Sequence, residues 1–141
     1  MAYLNVYLAF NGQAEVAMNF YRSVFGGEIT DMMRMSDMPP NPNMTVSDAD
    51  KNKVMHCALP INDNCVLMAS DAPQQQTTDP GNAISISIQA ETEKEARALF
   101  DGLSQGGEIK MPLNHTFWKA LFGVLVDQYG IQWMVNYQLP E

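Results

Sequence analysis

The sequence predicts an α+β protein made of two similar halves, each running strand, helix, then three strands. Three observations predict it: an internal repeat, period-two alternation before each helix, and three-to-four spacing within it. Gly26-Gly27-Glu28-Ile29 recurs as Gly106-Gly107-Glu108-Ile109, an offset of 106 − 26 = 80. The same offset carries Phe20 onto Phe100, Glu15 onto Glu95, and Leu4, Val6 and Leu8 onto Ile84, Ile86 and Ile88. A chance tetrapeptide would not bring matching periodicities with it. The half-units span 1–71 and 83–141 of one domain, 1–141, with a Pro- and Gln-rich linker at 72–82.

The elements follow in order. Leu4 to Phe10 alternates with apolar residues at even positions, and Ile84 to Ile88 alternates around Ser85 and Ser87, the mark of half-buried strands. Ala14, Ala17, Met18, Tyr21 and Phe25 form one helical stripe; Ala96, Leu99, Phe100 and Leu103 form the other. Thr92 and Glu95 have capping-box spacing. Gly26-Gly27 and Gly106-Gly107 end the helices, and strands restart at Glu28 and Glu108. A hairpin closes each half: Lys53 to Leu59 with Cys65 to Ser70 across Pro60–Asn64, and Phe122 to Val126 with Ile131 to Tyr137 across Asp127–Gly130. Residues 36–52, with Pro39, Pro40 and Pro42, are a polar excursion of the first half alone.

Composition removes several functions. The 141 residues are 46% hydrophobic and 17% charged, with a net charge of −8. Eight scattered Lys and Arg do not make a phosphate-tracking surface, so no nucleic-acid partner is expected. No apolar run approaches the roughly 20 residues of a membrane helix, and no secretory signal opens the chain, so a cytoplasmic protein is expected. Cys57 and Cys65 read as two buried thiols, a disulfide being the alternative, and they lack zinc-site spacing. Gly-x-Ser-x-Gly, Walker and His-Glu-x-x-His patterns are missing.

Tyr7-Leu8-Ala9-Phe10-Asn11-Gly12, Phe20-Tyr21, Phe25-Gly26-Gly27-Glu28, His56-Cys57-Ala58-Leu59 and Leu67-Met68-Ala69-Ser70-Asp71 carry a resemblance, continued by Thr116-Phe117-Trp118 and by Asp127, Gly130 and Trp133. Across nearly the whole chain they resemble the vicinal oxygen chelate superfamily of glyoxalases, bleomycin-resistance proteins and dioxygenases, and its PhnB-like branch in particular. The resemblance implies a cup-shaped curved mixed sheet with helices on its convex side and ligand on its concave side. It also implies a homodimer, often with halves exchanged between chains. Metal-using members place His and Glu on the cup face of the first and last strand of each half. Here those positions fall near Asn5, Met68, Ser85 and Met134, and a slip of one gives Val6 or Ile86. None is His or Glu, so the standard metal centre is expected to be absent, and no cofactor is assigned.

His56 is then the candidate catalytic residue, a general base or donor in the cup; the alternative is a strand histidine that is simply hydrogen-bonded. Turn length decides its face. A two-residue turn at Asn62-Asp63 sets it opposite Ala69, away from Met68; a three-residue turn at Asn62–Asn64 sets it opposite Ser70, on the side of Met68. Candidate ligand-binding residues are Tyr7, Met68, Asp71, Phe117, Trp118, Gln132, Met134 and Asn136. Asp71 either pairs with His56 or a substrate hydroxyl, or forms a turn. Phe117 and Trp118 wall a ligand or anchor a core or interface. Ser87 and Gln89 line the same side as Gln132, Met134 and Asn136, and His115 sits in an exposed loop. Eleven methionines make either an adaptable pocket or ordinary core filling. The leading reading is a metal-independent binder of an unidentified small molecule. Its rivals are an enzyme of the same fold, using His56 or a metal at a non-standard place, and a dimer serving structure or interaction.

Overall fold

The computed structural model describes residues 2, 4–39, 46–72 and 78–140. It divides into two compact units, Met1–Asp79 and Pro80–Glu141. The first holds β1 (Val6–Phe10), α1 (Ala14–Phe25), β2 (Thr30–Arg34), β3 (Val54–Asn62) and β4 (Cys65–Asp71). The second holds β5 (Ile86–Gln89), α2 (Glu93–Ser104), β6 (Glu108–His115), β7 (Ala120–Val126) and β8 (Gln132–Gln138). Each is a four-stranded mixed sheet, ordered β1-β4-β3-β2 and β5-β8-β7-β6. In each the first strand runs parallel to the last, and the other pairings are antiparallel. The predicted α+β halves are therefore the observed ones.

Each helix covers one face of its own sheet. Ala14, Ala17, Met18 and Tyr21 of α1 are buried, as the stripe predicts, against β3 and β4. Leu8, Phe10, Cys57, Leu59, Leu67 and Ala69 complete that core. In the second unit Ala96, Phe100 and Leu103 are buried on α2, with Leu121, Leu125, Trp133 and Val135 on the sheet. Gly26 caps α1 at φ 83°, and Gly106 takes φ 72° just past the end of α2, a conformation that costs glycine nothing. Gly107 has a second reason to be glycine: an added Cβ would lie 2.3 Å from the Val126 carbonyl oxygen.

Several boundaries differ from the sequence reading. Leu4 and Ile84 precede the strands and are 91% and 78% exposed. The ladders begin at Val6↔Leu67 and Ile86↔Trp133, so Leu4, Asn5, Ile84 and Ser85 lie outside them. Side chains take over there: Asn5 Oδ1 accepts from the Val66 N–H at 3.2 Å, and Gln132 Nε2 donates to the Ile84 carbonyl at 2.7 Å. β3 runs on through Pro60 to Asn62, and β7 starts two residues early, at Ala120. β6 reaches His115, which therefore ends a strand and is no loop residue.

Of the polar excursion, Pro40 and Pro42 lie outside the described residues, as do residues 73–77 of the linker. The Asn11 side-chain amide pairs with the backbone of Thr78, Nδ2 donating to the Thr78 carbonyl at 3.0 Å and Oδ1 accepting from the Thr78 N–H at 2.9 Å. Pro80 packs beside Gly130, where an added Cβ would lie 3.1 Å from the proline ring.

Candidate functional site

The face of the first sheet that α1 leaves open is set by register. Tyr7 pairs with Met68 and Ala9 with Ser70; Ala58 pairs with Met68; Met33 pairs with His56. Paired residues share a face. Tyr7, His56, Met68, Ser70 and Met33 therefore stand together, opposite the buried Cys57, Leu59, Leu67 and Ala69.

His56 reaches this face by a route different from either turn drawn from the sequence. The loop has two residues, Asp63 and Asn64, closed where Asn62 Oδ1 accepts from the Asn64 N–H at 2.8 Å. A bulge then falls between Pro60 and Asn62. One extra residue on the bulged strand shifts the ladder by one. Cys57 consequently faces Ala69, and His56 comes opposite Ser70, the register expected of the three-residue turn.

The His56 ring stacks on Tyr7, with centroids 5.8 Å apart and planes at 30°. Tyr7 Oη lies 3.3 Å from His56 Nδ1. The phenol therefore engages one ring nitrogen and leaves Nε2 for other partners. Tyr7 is 51% exposed, so this pair faces solvent.

Asp71 belongs elsewhere. It is buried, on the helix side of the sheet, and its two oxygens are taken. Oδ1 accepts from the Ala14 N–H and Oδ2 from the Val54 N–H, both at 2.9 Å. The structure thus gives it neither His56 nor an open position. Cys57, also on that side, is held protonated: burial first, then the Asp71 and Glu15 carboxylates, push its thiol up to about 11. Cys57 and Cys65 are free thiols, and Cys65 is half-buried rather than buried.

The second unit's open face carries Gln132, Met134 and Asn136 of β8, as the alternation predicts, with Trp133 and Val135 turned to the core. Ser87 pairs with Met134, Gln89 with Asn136, and Phe122 with Asn136. Asn136 Nδ2 donates to Gln89 Oε1 at 2.8 Å, and Gln89 Nε2 to Ser87 Oγ at 3.5 Å. Phe117 and Trp118 sit in the β6–β7 turn, 94% and 45% exposed, edge-on to each other at 4.9 Å. Trp118 continues edge-on to Phe122 at 5.6 Å, extending the aromatic group onto the sheet. Neither aromatic in the turn is a core residue.

The register also aligns the two open faces. Leu67 and Trp133 hold equivalent places beside the first strands, as do Leu59 and Leu125 beside the last, so the hairpins are offset by 133 − 67 = 125 − 59 = 66. His56 corresponds to Phe122, Met68 to Met134, and Tyr7, by the offset of 80, to Ser87. Phe122 and Met33 were not singled out from the sequence. The hairpin offset would have found Phe122. Met33 follows Asp31, whose φ of 56° breaks the alternation that a sequence reader counts on.

No hard-metal donor set is assembled at the positions the fold would use. Asn5 is committed to the backbone, Ser85 is exposed ahead of its strand, and Met68 and Met134 offer thioethers. Among the described residues no three His, Cys, Asp or Glu come together. These residues do not fit an oxygen- and nitrogen-ligated divalent centre.

Residues 3–135 match the model of the Glyoxalase/Bleomycin resistance protein/Dioxygenase superfamily. The chain belongs to this superfamily. Protein PA1353 of Pseudomonas aeruginosa is 34% identical, with a TM-score of 0.86 over 99% of this chain and 100% of that one. A Bacillus cereus PhnB protein, described as a candidate 3-demethylubiquinone-9 3-methyltransferase, is 32% identical, with a TM-score of 0.73 over 95% and 98%. Protein YjdN of Escherichia coli K12 is 24% identical over 94% of this chain and 93% of its own. The glyoxalase-like fold and the PhnB-like kinship read from the sequence both stand on these likenesses. No helix among the described residues is long and apolar enough to cross a membrane.

Proposed function

We propose that this glyoxalase-like protein binds a small organic molecule on its open sheet faces and does so without the superfamily's standard divalent centre. The observation that carries the reading is the open face of the first sheet. Tyr7, His56, Met68 and Ser70 gather there around an imidazole with one nitrogen engaged, while the ligand positions hold Asn, Ser and two Met. In the second sheet the Ser87–Gln89–Asn136 ladder beside Met134, Phe122 and Trp118 supplies polar groups next to apolar ones, the mixture small-molecule sites use. Gln132 lies at the edge of the same face. The reading includes a cytoplasmic location and a homodimer, and light scattering on the purified protein tests the dimer.

Elemental analysis and thermal melts with Zn, Ni, Mn and Fe test the metal part. Sub-stoichiometric metal and an unmoved melting temperature are expected; a stoichiometric divalent ion with a raised melting temperature overturns it. Native mass spectrometry after exposure to a small-molecule extract tests the rest. A non-covalent adduct lost in Tyr7→Ala is expected, and no adduct in wild type counts against binding.

One observation favours an enzymatic second reading. The Tyr7–His56 contact orients the imidazole and leaves Nε2 for proton transfer. A turnover that survives His56→Gln would end it. The methyltransferase description of the Bacillus relative is not carried over. The β1–α1 turn has Gly12 alone and the β5–α2 turn no glycine, so neither makes a glycine-rich cradle for a nucleoside cofactor.

A further inference from the structure

We propose that the open face of the first sheet binds a soft monovalent metal ion, of the Cu(I) or Ag(I) kind, through the thioether sulfurs of Met33 and Met68 and Nε2 of His56. The proposal goes beyond the small-molecule reading and does not depend on it. It starts from the mismatch at the fold's ligand positions: they exclude a hard divalent ion, but Met68 is a soft donor, and soft donors select Cu(I).

Three placements bring the donors together. Met33 stands directly across from His56 in the β2–β3 ladder. Side chains so paired have Cβ atoms about 5 Å apart, within reach of one ion. Met68 pairs with both Ala58 and Tyr7. It therefore rises from β4, the strand over which the Tyr7–His56 bridge passes from β1 to β3. Finally, Tyr7 Oη lies 3.3 Å from His56 Nδ1, and in the tautomer whose Nδ1–H donates to the phenol oxygen, Nε2 keeps the lone pair a metal would take. An imidazole whose second nitrogen is fixed by a hydrogen bond is the arrangement metal-binding histidines use. Tyr7 is thus a positioning residue for the ion. The register gives this face no carboxylate opposite any of the three donors, which disfavours hard ions further.

Two thiols must be kept out of the test, since thiolates also take soft metals. Cys57 is buried and held protonated. Cys65 lies at the far end of the hairpin, across from Asn62, and is removed as Cys65→Ser. The experiment titrates Ag(I) into that protein carrying 13C-methyl methionine and follows the methionine methyl and histidine ring resonances. Met33, Met68 and His56 are expected to move at one equivalent, with Met111, which is 51% exposed, as the silent control. Zn(II) should move none of them. Competition against a Cu(I) chelator should show a loss of more than about a hundredfold in M33L/M68L, beyond what loss of a supporting contact produces. The leucines conserve volume, so this variant should fold as wild type does, and a thermal melt checks it. Unmoved methionine methyls, Zn(II) binding on the same groups, or an unchanged affinity in M33L/M68L would each overturn the proposal.

Discussion

The two helices have the same length and the same place against their sheets, yet their N-termini find hydrogen-bond acceptors at different distances along the chain. In the second half the cap is local. Thr92 Oγ1 accepts from the Glu95 N–H at 3.0 Å, and the Glu95 carboxylate accepts from the Glu91 N–H at 2.9 Å. In the first half Gln13 offers no side-chain cap. The acceptor is Asp71, 57 residues from Ala14, and its other oxygen holds the start of β3. The second helix carries its own start signal. The first gets its start from the fold, so helix, β3 and β4 are tied at one buried carboxylate.

That difference is most easily broken at Asp71. Asp71→Ala leaves two buried N–H groups without an acceptor and should cost about 3 kcal/mol in urea denaturation. Asp71→Asn, which keeps one acceptor oxygen, should recover roughly half. Hydrogen exchange should show lost protection in α1 and at Val54 while α2 keeps its own. Equal loss in α2 would mean that the halves unfold as one unit, and the comparison would then describe geometry without describing stability.

The same contrast explains what the sequence could and could not reveal. The repeat, the helix stripes and the Thr92–Glu95 cap depend on near neighbours, so spacing exposes them. Asp71 reads as a turn residue because its partners, Ala14 and Val54, are close only after the sheet has formed. His56 is intermediate. Its two possible faces were legible, but a bulge near Pro60 chose between them, and bulges leave little mark on hydrophobic alternation. Of the candidate site, Tyr7, Gln132, Met134 and Asn136 were placed by simple alternation, and Met68 by the resemblance. Met33 was not, because the irregular register of β2 hides which side it serves.

Asp71 also bears on Cys57, and this asymmetry can be titrated. The folded thiol is pushed up to about 11, while an unfolded one ionises near the ordinary 9.0. Protons therefore leave the unfolded chain first. The stabilisation is fully present below pH 9 and is lost as pH rises through 11, about 1 kcal/mol of it by pH 10. Stability measured between pH 8 and 10 should fall in wild type, and that part of the slope should vanish in Cys57→Ala. A slope that persists unchanged would remove Cys57 as its source. Smaller again is the local cap: Thr92→Ala should cost about 0.5–1 kcal/mol, with Thr92→Asp restoring it. Its exchange signature should be the reverse of that at Asp71, fraying α2 and sparing α1.

The smallest expected change in stability is the one that speaks most directly to function. His56 and Phe122 occupy equivalent places in the two hairpins, so His56→Phe puts into the first half the residue the second half already uses. Phenylalanine can keep the stack on Tyr7 and fill the same half-buried space. What it loses is Nε2 and the contact with the Tyr7 hydroxyl. If the imidazole is there for binding, stability should change by no more than about 0.5 kcal/mol, while silver binding at Met33 and Met68 and retention of any organic ligand should fall together. If it is there to hold the sheet, the order reverses: the variant should lose about 2 kcal/mol or more, as a broken structural hydrogen bond does, and the open face would owe its histidine to folding alone.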